Sequence, residues 1–261
     1  MATLQYWNGS AWTQIPNGTA VQVASGTGTG NWVNPTKVYI ATGTGTGSWT
    51  EVWAKSDPIT LAFECNESQG WRESTAWRTD NKVRFGAFQT YGDNLTVLEF
   101  SADSTTGGYT STSLAEALAV RPNVTALKLT LTRGSGGAST ISGSTSETLL
   151  VGQLNKANGT SMSTYDAGSF VQTTNMQTIP ASDLQSWSYL SSQTKQFTFG
   201  GSASTLTGLA THLSTKQMWI SEKSTGWIAS GGGTSSSDIY SVCNGSADGS
   251  GKPILTVTMD Y

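Results

Sequence analysis

Residues 124–132 read VTALKLTLT, and this stretch decides the fold class. Its leucines, at positions 127, 129 and 131, alternate with lysine and threonine. A period of two describes a strand with one buried face and one solvated face, which is typical of antiparallel sheets. Residues 253–260 close the chain with the same alternation, and Pro253 stands at the start, where a missing N–H is tolerated. Both stretches predict an all-β protein.

The region from residue 58 to residue 261 predicts a larger antiparallel β-sandwich, which is jelly-roll-like. Further strands are predicted at residues 59–64, 71–77, 82–89, 95–101, 148–154, 195–199 and 217–221. One or two short helices are expected, at residues 204–215 and, with a weaker pattern, at residues 113–120. The stronger helix carries apolar residues at helical spacing on one face: Leu206, Leu209, Ala210 and Leu213.

The first 57 residues have a different rhythm, with short strands and Gly/Thr turns. Residues 25–32 read SGTGTGNW, and residues 42–49 repeat the pattern as TGTGTGSW. An earlier relative, residues 6–12, places an Asn-Gly pair, which is a strong hairpin signal, between Trp7 and Trp12. Strands are predicted at residues 4–7, 12–15, 20–24, 37–41 and 49–54. We therefore predict a small N-terminal β domain over residues 1–57 and the sandwich over residues 58–261.

Composition narrows the classes of function. Charged residues make up only 12% of the chain, and the net charge of −3 comes with no basic stripe, so nucleic acid is not an expected partner. The 36% of hydrophobic residues and the 10 tryptophans need a packed core, which argues against disorder. A surface solvated by hydroxyl groups rather than charges is typical of extracellular, adhesive or virion-surface β proteins.

The expected location follows from the ends and the apolar stretches of the sequence. Residues 1–6 carry neither the positive region nor the apolar region of a secretory signal, and no apolar stretch reaches membrane-spanning length. We therefore expect no membrane insertion. A surface-type composition without an export signal fits a virion-surface protein that assembles in the host cytoplasm and leaves by lysis.

Motifs for catalysis and cofactors are weak. His212 is the single histidine and falls off the apolar face of its helix, so we expect it to face solvent or the rim. Without a Gly-x-Ser-x-Gly elbow it does not support a hydrolase triad. The runs at residues 26–30 and 43–47 lead into tryptophan strands rather than helices, which argues against phosphate binding. We predict no cofactor.

Metal and disulfide signals are equally sparse. Residues 244–249 read NGSADG, the opening rhythm of a calcium loop, but Leu255 stands where the bidentate carboxylate belongs, so a β-turn is predicted. Cys65 and Cys243 have no metal-type spacing. They either pair or remain free, partly buried thiols, and the second interpretation is favoured.

Glycoside hydrolysis is the main enzymatic alternative, because it needs only two carboxylates and often an aromatic platform. Carboxylates available near tryptophans are Glu64, Glu67, Glu73, Glu99 and Asp103. Their spacing along the chain does not define a catalytic pair, so we predict no catalytic residue and no enzymatic activity.

Tryptophans are the best candidates for binding. A tryptophan on a sandwich face stacks on a sugar ring, although for any single tryptophan a place in the core is favoured. Trp71 and Trp227 are flanked by Gly70 and Gly226, and we predict them to be the exposed, carbohydrate-binding pair. The remaining candidates in the sandwich region are Trp77, Trp187 and Trp219.

Residues 6–12 and 37–53, the latter containing TGSWTEVW, resemble the short Trp/Gly modules that open minor tail proteins of bacteriophages infecting actinobacteria. The later region resembles the β-sandwich that follows in many of those proteins. The positions that match are residues 75–78, 85–89, 95–101, 123–131, 207–220 and 252–261.

The resemblance implies a non-enzymatic virion protein of the tail tip or a side fibre, often oligomeric, with the sandwich facing the host. Its N-terminal domain would attach to other virion proteins through tryptophans: Trp7, Trp12, Trp32, Trp49 and Trp53. A homotrimer and a monomer on a symmetric platform both stay open, as does binding of a host-surface glycan. The sequence has no coiled-coil or repeat shaft, which favours a short tip protein and leaves a capsid decoration or head-fibre protein as the alternative. A carbohydrate-active enzyme or its binding module is the less favoured alternative.

Overall fold

The computed structural model describes residues 5–7, 12–14, 23–24, 32–33, 37–41, 49–54, 57–72, 76–78, 80–87, 93–103, 112–134, 149–161, 177–179, 194–221 and 240–260. By its internal contacts the chain divides into two compact units, residues 1–59 with 260–261 and residues 60–259. The attachment and display roles expected of the N-terminal part and the sandwich stay predictions.

The described strands of the first unit form three two-stranded antiparallel ribbons. Their bounds are β1 Gln5–Trp7, β2 Trp12–Gln14, β3 Val23–Ala24, β4 Trp32–Val33, β5 Lys37–Ala41 and β6 Trp49–Ala54. Trp7 lies opposite Trp12, as the Asn-Gly pair predicts. In the next two ribbons an alanine pairs with a tryptophan, Ala24 with Trp32 and Ala41 with Trp49. In each case a Gly/Thr run separates the two residues in the sequence. The sequence repeat is therefore a repeat of hairpins.

The second unit contains an eight-stranded sheet. Its strands are β8 Glu67–Arg72, β9 Ala76–Trp77, β10 Val83–Ala87, β11 Asp93–Glu99, β13 Leu149–Ala157, β14 Gln177–Ile179, β16 Lys216–Ser221 and β17 Tyr240–Cys243. The main path runs β14-β13-β16-β11-β10-β17, and β8 pairs with both β11 and β9. Strand β11 therefore lies between β8 and β16, and strands distant in sequence bring their side chains together there.

A four-stranded sheet completes the sandwich. Its strands are β7 Ile59–Glu64, β12 Asn123–Thr132, β15 Thr194–Thr198 and β18 Ile254–Asp260, in the order β15-β12-β18-β7. The alternation seen in the sequence is reproduced as burial along these strands. The inward residues are fully buried: Leu61, Phe63, Leu127, Leu129, Leu131, Leu255, Val257 and Met259.

The opposite side of this sheet carries the alternate residues, and threonine is the most frequent residue among them. We call it the threonine face and define it as Thr60, Thr130, Thr132, Thr194, Thr198, Thr256 and Thr258. The hydroxyls of Thr60 and Thr258 lie 2.9 Å apart, and those of Thr132 and Thr194 lie 3.1 Å apart. Hydroxyl groups on neighbouring strands thus hydrogen-bond to each other across the sheet.

Two helices accompany the sheets in the described part of the chain. Helix α1, Leu114–Val120, begins with a capping box in which Ser113 and Glu116 satisfy each other's backbone N–H groups. Helix α2, Ala203–Leu213, is capped by Ser202 and packs against β12 and β16. Its predicted apolar face is buried, so α2 bridges strands of both sheets.

The predicted all-β class, with antiparallel sheets and short helices, is confirmed. The single strand predicted at residues 71–77 is wrong, because β8 begins at Glu67 and pairs antiparallel with β9, which sets Trp71 opposite Trp77. Strands β14 and β17 were not predicted. Neither carries the clear alternation of apolar and polar residues that identified β12.

Candidate functional site on the tryptophan face

The register of β8, β11 and β16 places rows of side chains on one face of the eight-stranded sheet. Opposite residues in the first two rows are Trp71 with Leu95, and Val97 with both Gln69 and Trp219. We call this side the tryptophan face. In addition to those residues, it contains the third row: Glu67, Glu99 and Gln217.

Apart from Gln69, the first two rows are apolar and closely packed. Their buried cluster consists of Trp71, Leu95, Val97, Leu154 and Trp219, and Trp77 and Leu150 pack against it. Trp219 is fully buried and lies opposite Gly152 on β13. A Cβ at position 152 would lie 2.3 Å from the indole ring, so glycine provides the space in which the ring lies.

The prediction that Trp71 is exposed is wrong, because its side chain is only 9% exposed and belongs to this cluster. Gly70 beside it contributes to the prediction of exposure. Instead Gly70 is buried within β8, and a Cβ there would lie 3.6 Å from the Lys82 carbonyl oxygen. Trp227, the second member of the predicted pair, lies outside the described residues, and so does Trp187.

The tryptophans predicted to attach the protein to the virion lie in described strands. Their positions are Trp7 in β1, Trp12 in β2, Trp32 in β4, and Trp49 and Trp53 in β6. Only the backbone of these residues is described, so their role in attachment stays a prediction.

The third row is built around Glu99, which is 3% exposed. One carboxylate oxygen, Oε1, accepts hydrogen bonds from Asn66 Nδ2 at 2.8 Å and Ser101 Oγ at 2.7 Å. The other, Oε2, accepts from Gly159 N at 2.7 Å and Gln217 Nε2 at 2.9 Å. An ionised carboxylate has about four acceptor positions, so the carboxylate of Glu99 is saturated.

These donors come from four places in the sequence and meet only through the fold. Asn66 connects β7 to β8, Ser101 follows β11, Gly159 lies in the turn after β13, and Gln217 lies in β16. Burial alone would raise the pKa of Glu99, but the hydrogen bonds together hold it below its usual value. Glu99 therefore remains ionised and joins these segments.

Glu67 lies directly opposite Glu99 and is the contrasting member of the pair. Its side chain is partly buried, and no hydrogen bond or ion pair to its carboxylate is found in the described part of the chain. Burial, followed by the negative charge of Glu99, raises the pKa of Glu67. The fold thus holds one satisfied carboxylate and one unsatisfied carboxylate next to each other.

Of the five carboxylates considered for glycoside hydrolysis, the structure brings Glu67 and Glu99 together by direct pairing. Opposed pKa shifts are the pattern of an acid and nucleophile pair. However, a nucleophile needs an oxygen that reaches the substrate, and both oxygens of Glu99 are buried and occupied by donors. Glu64 forms a loose ion pair with Lys252 at 3.9 Å instead.

His212 is partly buried rather than solvent-facing. Its Nε2 lies 3.0 Å from the carbonyl oxygens of both Leu154 and Gln217. Burial lowers the pKa of the ring, so the imidazole is neutral and a hydrogen on Nε2 is donated to these carbonyls. His212 therefore ties α2 to β13 and β16 at the rim of the helix–sheet contact.

The candidate calcium loop is a β-turn, as predicted. Asp248 N donates to Gly245 O at 3.2 Å, and the Asp248 carboxylate accepts from Gly245 N and pairs with Lys82. Ser246 N donates to Ser68 Oγ at 2.7 Å, which fastens the turn to β8. Among the described residues no group of three acidic, histidine or cysteine side chains is placed to hold a metal ion.

Cys65 and Cys243 are both buried and are not joined in a disulfide, so the favoured interpretation of two thiols is confirmed. Cys65 Sγ donates to Glu67 O at 2.9 Å, and burial raises the pKa of this thiol to about 12. The thiol therefore stays protonated at neutral pH and behaves as a small core residue.

Sequence reasoning missed Asn66, Gly159, Gln217 and Gln69, because uncharged polar residues in or near strands carry no local signal. Comparison of the chain with protein-family models and with curated protein sequences gave no match. Within the described ranges, neither helix has the length and apolar character needed to cross a membrane.

Proposed function

We propose that this chain is a structural protein of a bacteriophage virion, of the minor tail, tail-tip or short-fibre type. In this proposal the N-terminal unit binds other virion proteins, and the sandwich is displayed toward the host and attaches to its surface glycans. The proposal joins the sequence resemblance to the surface chemistry of the described sandwich.

The threonine face is the observation that carries the proposal. Its hydroxyls hydrogen-bond to one another between strands, as Thr60 does with Thr258 and Thr132 with Thr194. Hydroxyl groups outnumber charges on this face, which also carries Glu64 and Lys128, and this matches the 12% share of charged residues in the whole chain. Hydroxyl-rich faces of this kind suit a protein that is displayed on a particle and meets other surfaces.

The chemistry of Glu99 supports a non-enzymatic role over the alternative of a carbohydrate-active enzyme. Its carboxylate already accepts from Asn66, Ser101, Gly159 and Gln217, so it acts as a structural acceptor. Cleavage of a cell-wall polysaccharide by the purified chain, lost in both Glu67→Gln and Glu99→Gln, would contradict this role.

Imaging of intact particles tests the proposal directly. Antibody fragments raised against residues 60–259 would be added to purified phage and located by electron microscopy. We expect label at the tail tip, and an excess of the purified chain should reduce adsorption of the phage to its host. Label on the head would support the capsid decoration or head-fibre alternative, and a chain absent from purified particles would refute the proposal.

A further inference from the structure

One strip of the tryptophan face remains partly exposed. Glu67 and Gln69 of β8 and Trp77 of β9 are each partly exposed, whereas Val97 and Trp219 in the adjacent strands are fully buried. We call these three exposed side chains the β8 strip. Each brings a different chemical group to the same edge of the face.

Trp77 supplies a supported aromatic surface. It lies opposite Trp71 and packs against the buried cluster, so the ring is supported from the core side. A tryptophan fixed in this way offers a large contact area with little entropy left to lose on binding.

Gln69 supplies an oriented amide. Its Nε2 donates to the Arg78 carbonyl oxygen at 2.5 Å, which fixes the side chain beside β9. The amide nitrogen is therefore engaged with the protein, and the amide oxygen Oε1 is the group that the side chain offers as an acceptor.

Glu67 supplies an acceptor that the described residues leave unsatisfied. Burial and the charge of Glu99 both disfavour its ionised form, and no donor in the described part of the chain offsets this. Perturbed, uncompensated carboxylates of this kind concentrate at functional sites. Donors arriving from a ligand would stabilise the charge.

We propose that the β8 strip binds an oligosaccharide that lies along β8. One sugar ring stacks on Trp77, and hydroxyl groups of the following sugars donate to Gln69 and Glu67. Glu67 lies four residues from Trp71, the partner of Trp77, which is about 13 Å along a strand. The strip is therefore longer than one sugar ring, so an oligosaccharide contacts all three groups, whereas a monosaccharide contacts one end. The inference rests on the proposed function and names its glycan site.

Binding to an array of bacterial surface oligosaccharides, followed by calorimetric titration with the strongest binder, tests the site in the full chain. We expect Gln69→Ala and Glu67→Gln each to weaken binding by about tenfold, which corresponds to about 1.4 kcal/mol. Trp77→Ala should weaken it further, and Trp77→Phe should recover part of the loss because it keeps an aromatic surface. Gln196→Ala is the matched control, since it removes an exposed amide from β15 in the other sheet.

Two results would overturn the inference: no binding of the wild-type chain to any oligosaccharide on the array, or unchanged binding in both Gln69→Ala and Glu67→Gln. Because both residues are partly exposed, these variants should fold, and thermal melts followed by circular dichroism check this. Antibody label at the tail tip together with either result would retain the virion proposal and reject only this site. Oligosaccharide binding by a chain that is absent from particles would retain this site and reject the virion proposal.

Discussion

The threonine face and the tryptophan face are built from the same kind of antiparallel strand, but they satisfy their polar groups in opposite ways. On the threonine face, partly or fully exposed hydroxyls bond to their neighbours and water remains available to them. On the tryptophan face, Glu99 is buried and depends on protein donors alone. When the hydrogen-bond partner of a buried polar group is removed, water cannot take its place. The desolvation cost of the group is then no longer offset. The tryptophan face should therefore be sensitive to substitution, and the threonine face should be tolerant.

The largest expected effect is that of Gly152→Ala on the tryptophan face. The new Cβ would lie 2.3 Å from the ring of Trp219, which is fully buried, so either the ring or the backbone must shift. We expect a loss of about 3 kcal/mol in the free energy of unfolding, at the upper end of the usual cost of overpacking. Urea denaturation followed by circular dichroism measures it.

Gly70→Ala is the matched control for this prediction. Gly70 is also a buried strand glycine, but the nearest atoms to its Cβ would lie 3.6 Å away, an ordinary contact. Its stability should stay within about 1 kcal/mol of the wild type. Equal losses in the two variants would show that the space around Trp219 is not what requires glycine at position 152.

Glu99→Gln should have the next largest effect. The amide keeps the shape of the carboxylate but turns one acceptor into a donor that faces Gly159 N and Gln217 Nε2, or Asn66 Nδ2 and Ser101 Oγ. We expect a loss of about 2 kcal/mol at neutral pH, the cost of buried donors left without acceptors. The same urea titration measures it, with Glu64→Gln as the surface control, because the partly exposed Glu64 carboxylate lies 3.9 Å from Lys252 Nζ.

The pH dependence separates this charge effect from a packing effect. The folded pKa of Glu99 is below its usual 4.5, so its stabilisation is complete above pH 4.5 and is lost as the pH falls through the folded value. The difference in stability between wild type and Glu99→Gln should therefore shrink in acid. A difference that stays constant from pH 7 to pH 3 would indicate that shape, rather than charge, is what position 99 requires.

The sequence predicts a strand well where only one face of that strand is buried, because the alternation of apolar and polar residues is then visible over a few neighbouring positions. Leu127, Leu129 and Leu131 define β12, and the apolar face of α2 is likewise visible in its spacing. The network around Glu99 cannot be predicted in this way, because its donors are distant in sequence, and Gln217 is 118 residues from Glu99. The burial of Trp71 cannot be predicted locally either, because it depends on the pairing of β8 with β9 and β11.

Glu67→Gln should change stability in the opposite direction to Glu99→Gln. The pKa of Glu67 is raised above 4.5, so its favourable contribution is present below pH 4.5 and is lost as the pH rises through the folded value. At neutral pH the substitution removes a carboxylate that faces Glu99, and a gain of roughly 0.3 kcal/mol is expected for this partly exposed group. Thermal melts at pH 7 and pH 4 test it, and the gain should vanish at the lower pH. A stabilising substitution that weakens glycan binding would mark Glu67 as a residue kept for function.

The smallest effect is expected for Thr258→Val on the threonine face. The substitution removes a hydroxyl that lies 2.9 Å from the Thr60 hydroxyl, but keeps a β-branched side chain that suits a strand. Thr60 is exposed and finds water in place of its lost partner. The free energy of unfolding should therefore stay within about 0.5 kcal/mol of the wild type. A loss as large as that of Glu99→Gln would mean that the hydroxyl pairs support the sheet itself, and the contrast between the two faces would then lie in burial alone.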